Sequence, residues 1–295
     1  MAKANLKSIR PSKFDKDCVA IISLPKCGST LLSYIGALVN TNGRIDSFRN
    51  DFDLVPMLSF PSKLIAQNFN ARQDGRYQLY KANGRLIELS DPINTAEFSR
   101  VIWMCRDFEG YFRSWYSWSR EFVPKQRWQR RYQQYLHWDV FKSRALETSA
   151  RFHIEELLYA YRQSTSNKNS VLHLTYEDLV KHKDLTIQQI FNYLNIPTTD
   201  EEISQISAKT TKMAMAEGNR FDPLTFGDTE GVSKVNLSKH LNVLSDEDKR
   251  IYAKLFREKF EPYGIMSYDD LILHFRECRS HAHSINSFQQ TVAGK

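Results

Sequence analysis

The sequence predicts an α/β fold with a central parallel sheet flanked by helices. Three short, mainly apolar runs rich in branched side chains are typical of strands buried on both faces. They lie at 18–24, 101–105 and 170–175. The segments between them place their apolar residues at helical spacing. Because strands that alternate with helices pair in parallel through right-handed crossovers, we expect a parallel sheet here.

The remaining elements follow from the same two patterns. Helical spacing of apolar residues predicts the helices, which lie at 30–39, at 108–122, in two segments within 125–163, at 185–194 and at 201–217. A weaker alternation predicts a further strand at 77–82. The pair Asn42-Gly43 is a typical helix stop, and Ser245 is the expected N-cap of a last long helix.

Composition limits the class of protein. The chain has 295 residues, of which 41% are hydrophobic, so it can bury a sizeable core in one domain. We expect that domain at 17–279, between a loose arm at 1–16 and a polar tail at 280–295. No apolar stretch approaches the roughly 18 residues of a membrane span. Because the first residues also lack an apolar signal core, we expect a cytoplasmic protein with no membrane partner.

Charge and cysteine content indicate the kind of ligand. The net charge of +7 favours an anionic ligand but is small for a nucleic-acid binder of this size. The four cysteines show no metal-like spacing, which favours free thiols in a reducing compartment. The histidines show no such spacing either, so we expect no metal.

The first motif joins the strand at 18–24 to the next helix. Lys26 and Gly28 stand in a tight loop, and Ser29 and Thr30 open the helix. A helix N-terminus offers unpaired N–H groups and the positive end of a dipole, and glycine allows close approach of an anion. In nucleotide triphosphatases the Lys follows the glycine, so the order here disfavours an ATPase or GTPase. The alternative is a plain strand-to-helix turn.

The segment Pro25-Lys26-Cys27-Gly28-Ser29-Thr30-Leu31 resembles the 5′-phosphosulfate loop of sulfotransferases, P-K-[ST]-G-[ST]-T-[WL]. The resemblance implies a P-loop-like nucleotide-binding fold and binding by Lys26 to Thr30. Cys27 replaces the usual hydroxyl residue, which leaves its backbone donor but weakens its side-chain donor. Leu31 stands where cytosolic members carry a tryptophan that stacks on adenine.

The second motif lies at the end of the strand at 101–105. Arg106 follows that strand, and Ser114 lies early in the next helix. An arginine fork and a hydroxyl can hold one phosphate from two sides. The alternative is a surface pairing of Arg106 with Asp107 or Glu109. The pattern is similar to the sulfotransferase 3′-phosphate signature, and the two motifs together imply the co-substrate 3′-phosphoadenosine 5′-phosphosulfate (PAPS).

Three weaker similarities to the family concern the nucleotide. Tyr176 begins a Tyr-Glu-Asp-Leu segment that follows a strand and resembles a segment of the family. The resemblance implies that Tyr176 lies near the nucleotide. Thr210 stands where the family has a threonine near adenine. Lys234 or Lys239 would supply charge from the basic loop that closes over the 3′-phosphate. The resemblance extends over about residues 18–262.

The resemblance implies direct transfer of a sulfuryl group to a hydroxyl or amine. Lys26 would stabilise charge on the leaving oxygen, and Lys81 would contact the sulfuryl group. Asn83 stands where cytosolic members have the histidine base, and an amide cannot serve as a base. Three explanations stay open: a shifted alignment, a carboxylate such as Asp51 or Asp53, or an acceptor that needs little help.

Two rival functions also stay open. One is a nucleotide-dependent kinase with an atypical phosphate loop. The other is a non-catalytic nucleotide- or RNA-binding protein, for which the basic and aromatic stretch at 128–138 is the relevant feature. A solvated amphipathic helix explains that stretch equally, so no nucleic-acid partner is expected. The acceptor is expected to be a small molecule, aromatic or cationic, and the oligomeric state is not predicted.

Overall fold

Four short strands form the sheet that carries the first motif. The structure is a computed structural model, which describes residues 18–24, 26–43, 77–83, 100–122, 137–166, 171–211 and 243–277. The strands are β1 (Cys18–Ser23), β2 (Gln78–Asn83), β3 (Arg100–Cys105) and β4 (Val171–Thr175). Their order in the sheet is β2-β1-β3-β4, and β1 runs parallel to both of its neighbours. The predicted α/β class is therefore confirmed.

The register of β1 aligns the ends of three strands. All six residues of β1 are buried, as its apolar sequence predicts for a strand covered on both faces. Ser23 pairs with Asn83 of β2 and with Met104 of β3. Since neighbouring parallel strands end at one edge, β1, β2 and β3 end at the same edge of the sheet.

Helix α1 (Ser29–Asn40) follows β1 as predicted. It ends at the expected stop, where Asn42 and Gly43 both take left-handed backbone angles, with φ of 52° and 73°. The N–H of Gly43 reaches back to the carbonyl of Leu38 at 2.7 Å, which closes the last turn. The sequence therefore defines both ends of this helix locally.

The described helices fall into two compact units. The first unit is Met1–Met104 with Asn167–Arg220, and the second is Cys105–Ser166 with Phe221–Lys295. Besides α1, the described helices are α2 (Phe108–Phe122), α3 (Trp138–Ser166), α4 (Tyr176–Lys181), α5 (Lys183–Leu194), α6 (Asp200–Lys209), α7 (Asp246–Phe260) and α8 (268–277).

One expected helix is shorter than predicted, and another is only partly described. The helix predicted at 201–217 ends at Lys209, because the hydroxyl of Thr210 bonds to the carbonyl of Ile206 at 2.8 Å and caps the last turn. Of the two helices expected within 125–163, the second is α3, whereas most of the first lies outside the described residues. Helix α4 was not predicted as a separate helix.

In the second unit, α3 and α7 are joined through their polar ends. Ser245 caps α7 as predicted: its hydroxyl accepts the N–H of Asp248, whose carboxylate accepts the N–H of Ser245 in return. Lys142 of α3 donates to the same carboxylate at 2.8 Å. Burial alone would raise the pKa of Asp248, but the hydrogen bonds from Lys142 and Ser245 outweigh it and lower that pKa below 3.8.

We expect the replacement Asp248→Asn to lower the free energy of unfolding near neutral pH by about 1 kcal/mol. The melting temperature should fall accordingly. A carboxyl whose pKa is lowered by folding stabilises the protein above its unfolded pKa of about 3.9 and loses this effect as the pH falls. The difference in unfolding free energy between the variant and the wild type should therefore shrink below about pH 4. Asp246→Asn, at an exposed position of the same helix turn, is the control for loss of charge alone. A gap that does not vary with pH would contradict this account.

Candidate functional site

The loop between β1 and α1 is held in an unusual backbone conformation. Lys26 and Gly28 both have positive φ, of 70° and 92°. A left-handed backbone costs a residue such as lysine about 1 kcal/mol or more. Strain of this kind is concentrated at functional sites, because the surrounding structure must enforce it. The N–H of Cys27 bonds to the carbonyl of Leu24 at 3.2 Å, so this turn is closed by the backbone itself.

A glycine is required at position 28 for two reasons, its backbone angle and the lack of space for a Cβ. Its φ of 92° favours glycine, and a Cβ at this position would lie 2.6 Å from Cδ2 of Tyr176 and 3.2 Å from Sδ of Met104. The ring of Tyr176, the first residue of α4, therefore packs directly on the loop. Thr175 fixes the start of α4, because its hydroxyl accepts the N–H of Asp178 at 3.0 Å. The structure thus brings together the loop and Tyr176, which the sequence placed near one ligand.

The first turn of α1 has no acidic side chain that would compete with an anion. Its N-cap residue is Gly28, which makes no side-chain hydrogen bond to the first turn. The first N–H groups of a helix have no partner within it, and they carry the positive end of the dipole. Ser29 and Thr30 are nearly buried, at 7% and 9% exposure, and the thiol of Cys27 is fully buried. Cys27 therefore contributes its backbone N–H to the turn, while its thiol is buried.

Lys81 adds a buried cation beside that turn. It lies on β2, opposite Ile21 in the register, and is only 2% exposed. Its ammonium group donates to the hydroxyl of Thr30 at 3.4 Å. A buried ammonium is unfavourable unless anionic or polar groups surround it. The end of α1 therefore combines helix dipole, Lys26 and Lys81, which together attract a negatively charged ligand.

In the second unit, Arg106 lies across the first turn of α2. Asp107 caps that helix, since its carboxylate accepts the N–H of Gly110 at 2.7 Å. A Cβ on Gly110 would lie 2.7 Å from Nε of Arg106, so the glycine is what allows the arginine to pack there. Ser114 lies four residues after Gly110, hence on the same face of the helix. The predicted pair of Arg106 and Ser114 is thus placed along one helix face.

A buried histidine contacts the backbone of Arg106. Nε2 of His153 lies 2.9 Å from the carbonyl oxygen of Arg106, and Nδ1 lies 3.0 Å from the hydroxyl of Tyr252. Burial lowers the pKa of His153 to about 4, so its ring is neutral near pH 7. Sequence reasoning missed this pair. The one available signal was a polar side chain between Ala150 and Leu157 on the apolar stripe of α3.

Of the other predicted site residues, the structure describes Thr210 but not the two aspartates and two lysines. Thr210 is buried, and its carbonyl accepts a hydrogen bond from Lys183 at 3.1 Å, which ties the end of α6 to the start of α5. Its contact with adenine stays a prediction. The residues Asp51, Asp53, Lys234 and Lys239 lie outside the described residues, and their roles also stay predictions.

Two features are absent from the described residues. Across the seven described ranges, no cluster of three or more histidine, cysteine, aspartate or glutamate side chains could hold a metal ion. Within the same ranges, no helix is both long and apolar enough to cross a membrane.

A strand, an anion-binding turn and a helix on a parallel sheet define the chain as a protein of the nucleotide-binding α/β class. The family profile described as "Sulfotransferase domain" matches residues 16–264. The chain belongs to the sulfotransferase family. The family predicted from the two motifs is therefore confirmed. No curated protein matches the chain significantly by sequence alone.

Solved structures share the fold at low sequence identity. Mouse sulfotransferase SULT7A1 complexed with PAP is 15% identical, with a TM-score of 0.61 over 95% of this chain and 93% of that chain. Retinol dehydratase in complex with androsterone and inactive cofactor PAP is 13% identical, with a TM-score of 0.57 over 84% and 82%. A putative steroid sulphotransferase of Arabidopsis thaliana is 18% identical, with a TM-score of 0.50 over 84% and 78%.

Replacement of Gly28 tests the geometry of the loop. Gly28→Ala introduces left-handed strain of about 1 kcal/mol and overpacking against Tyr176 of about 1–3 kcal/mol. Gly264→Ala is the matched control, because Gly264 also has a positive φ, of 73°, but no described atom lies within 4 Å of the position that a Cβ would take there. Urea unfolding should show the larger loss for Gly28→Ala, and Tyr176→Ala in that background should recover part of it. Equal losses at the two glycines would contradict the packing described above.

Proposed function

We propose that this protein is an enzyme that transfers the sulfuryl group of PAPS to a hydroxyl or amine of a small molecule and releases adenosine 3′,5′-bisphosphate (PAP). The observation that carries this proposal is the sulfotransferase family match over 16–264, which includes both anion motifs. The structures of mouse SULT7A1 and retinol dehydratase named above hold PAP, the product of such a transfer. The match also supports one sulfotransferase domain, for which we retain the limits 17–279.

The loop at the start of α1 is assigned to the 5′-phosphosulfate. Cys27, Gly28, Ser29 and Thr30 would surround it, with the helix N–H groups directed at its oxygens. In the transfer, the bond between sulfur and the bridging oxygen breaks while the acceptor oxygen or nitrogen bonds to sulfur. Negative charge develops on the bridging oxygen, and Lys26 is placed in the loop to stabilise it.

The other end of the nucleotide is assigned to Arg106 and Ser114. A guanidinium that lies along a helix face and a hydroxyl one turn later can hold a phosphate from two sides. Lys234 and Lys239 are proposed to add charge there. Tyr176 and Thr210 are proposed to lie beside the adenosine, because the ring of Tyr176 already packs on the loop.

The acceptor side is proposed from fewer observations. Lys81 would contact the sulfuryl group, since its ammonium lies beside Thr30. The acceptor must lose a proton as it bonds to sulfur, and Asp51 or Asp53 is proposed as the base, because Asn83 cannot accept one. We propose an aromatic or cationic small molecule as acceptor, and we propose the cytoplasm as location. No disulfide joins Cys18, Cys27 and Cys105 to one another, which suits a reducing compartment.

Ligand-induced stabilisation tests the co-substrate. PAP at about 100 times its dissociation constant should stabilise the wild-type protein by about 2.7 kcal/mol. ATP and 5′-AMP should stabilise it much less, because neither offers a 3′-phosphate to Arg106. Arg106→Ala should reduce the effect of PAP to that of 5′-AMP. Arg151→Ala is the matched control, since Arg151 is 56% exposed and pairs with Glu147 on the surface of α3.

The same measurement separates the rival functions. Equal stabilisation by ATP and PAP would contradict the PAPS assignment and favour a kinase. Labelled PAPS incubated with a metabolite extract then tests for transfer. Binding of PAP without any labelled product would favour a non-catalytic nucleotide-binding protein.

The base is tested by Asp51→Asn and Asp53→Asn. If one of these carboxylates takes the proton, its replacement should lower kcat by about 10²-fold or more. The stabilisation by PAP should stay unchanged, since the base is proposed to act on the acceptor. Glu261→Gln, at an exposed position, is a suitable control. Near-wild-type turnover in both aspartate variants would exclude them and favour an acceptor that needs no base.

A further inference from the structure

The backbone of Arg106 is held by a hydrogen-bonded pair of side chains from two helices, the buried His153 and the half-buried Tyr252. Within the second unit, α3 supplies His153 and α7 supplies Tyr252. We propose that His153 and Tyr252 are positioning residues that fix the backbone of Arg106 and thereby orient its side chain for the 3′-phosphate. This inference rests on the function proposed above, in which Arg106 binds that phosphate.

The hydrogen bonds allow one arrangement of protons. The carbonyl oxygen of Arg106 can only accept, so Nε2 of His153, at 2.9 Å, must carry the proton and donate it. In a neutral ring, Nδ1 is then the acceptor, so the hydroxyl of Tyr252 must donate to it at 3.0 Å. The donated protons therefore run in one direction, from Tyr252 through His153 to Arg106.

Burial keeps both side chains in these states. His153 is fully buried, and burial lowers its pKa to about 4 despite the opposing effects of the Arg106 hydrogen bond and the charge of Asp107. Burial, followed by the charges of Asp107 and Cys105, raises the pKa of Tyr252 well above 10. Near neutral pH the tyrosine thus remains a donor and the histidine remains uncharged.

Aromatic packing fixes the rings in place. The ring of Phe108 stacks on Tyr252 with a centroid distance of 4.3 Å and an angle of 6°. The same ring meets His153 at 5.6 Å, and Tyr111 lies 5.2 Å from His153. Phe108 is the first residue of α2, two positions after Arg106. The pair is therefore packed against the turn whose carbonyl it holds.

The position of this carbonyl determines where the arginine points. It belongs to the peptide that joins Arg106 to Asp107, the cap of α2. A rotation of that peptide would shift both the cap and the guanidinium, which packs closely on Gly110. A small misplacement of a binding group can cost a large factor in affinity or rate. A structural role alone would instead reduce stability and leave ligand selectivity unchanged.

The test uses the full chain and compares dissociation constants for PAP and 5′-AMP by titration calorimetry. The selectivity for PAP over 5′-AMP reports the 3′-phosphate contact alone. We expect His153→Leu, which lacks the donor, to reduce this selectivity roughly tenfold. His153→Gln places an amide N–H near the position of Nε2 and should restore most of it. Tyr252→Phe should reduce it, because Nδ1 then loses its donor and the other tautomer becomes accessible.

Tyr77→Phe is the matched control. Its hydroxyl is also buried and donates to the carbonyl of Leu194 at 2.6 Å, but it lies in the first unit. It should lower the melting temperature and leave the selectivity at the wild-type value. Circular dichroism checks that each variant is folded at the titration temperature.

The outcomes separate the inference from the proposed function. Wild-type protein without preference for PAP would overturn the function itself and with it this inference. Wild-type selectivity in His153→Leu, with only a lower melting temperature, would overturn the positioning role. If His153→Leu does not fold, the other two variants decide. Unchanged selectivity in Tyr252→Phe overturns the proposal. Reduced selectivity in Tyr252→Phe, together with near-wild-type selectivity in His153→Gln, supports it.

Discussion

The parallel pairing of β1 with β2 and β3 is the constraint on which the site depends. Ser23, Asn83 and Met104 occupy matching positions in the register, so three strands end together. The anion loop starts from this edge, directly after β1. Parallel strands need long crossovers, which explains why residues so far apart in sequence contribute to one edge.

The groups proposed to bind an anion at this edge are mainly backbone N–H groups and fixed charges. The first turn of α1 offers N–H groups and contains no acidic side chain, and Lys81 is buried beside it. The departure at Cys27 is therefore tolerable, because the thiol is buried and its N–H closes the turn.

Local sequence was sufficient for elements whose ends are marked by turn residues. Helix α1 stops just before Asn42-Gly43, and Ser245 caps the start of α7, as expected, because caps act within one turn. The helix expected at 201–217 instead ends at Lys209, where the hydroxyl of Thr210 bonds to the backbone of the preceding turn. Periodicity alone did not reveal this, since a threonine is compatible with both a helix interior and a cap.

The sequence by itself determined the family and the order of Lys26, Gly28, Ser29 and Thr30, because a loop motif is contiguous and its chemistry is local. Only the tertiary structure decided which distant groups meet it. Tyr176 packs on Gly28, and Lys81 reaches Thr30. His153 and Tyr252 are separated by 99 positions, yet they are joined by one hydrogen bond. Such contacts depend on how helices and strands pack, and no short sequence pattern identifies them.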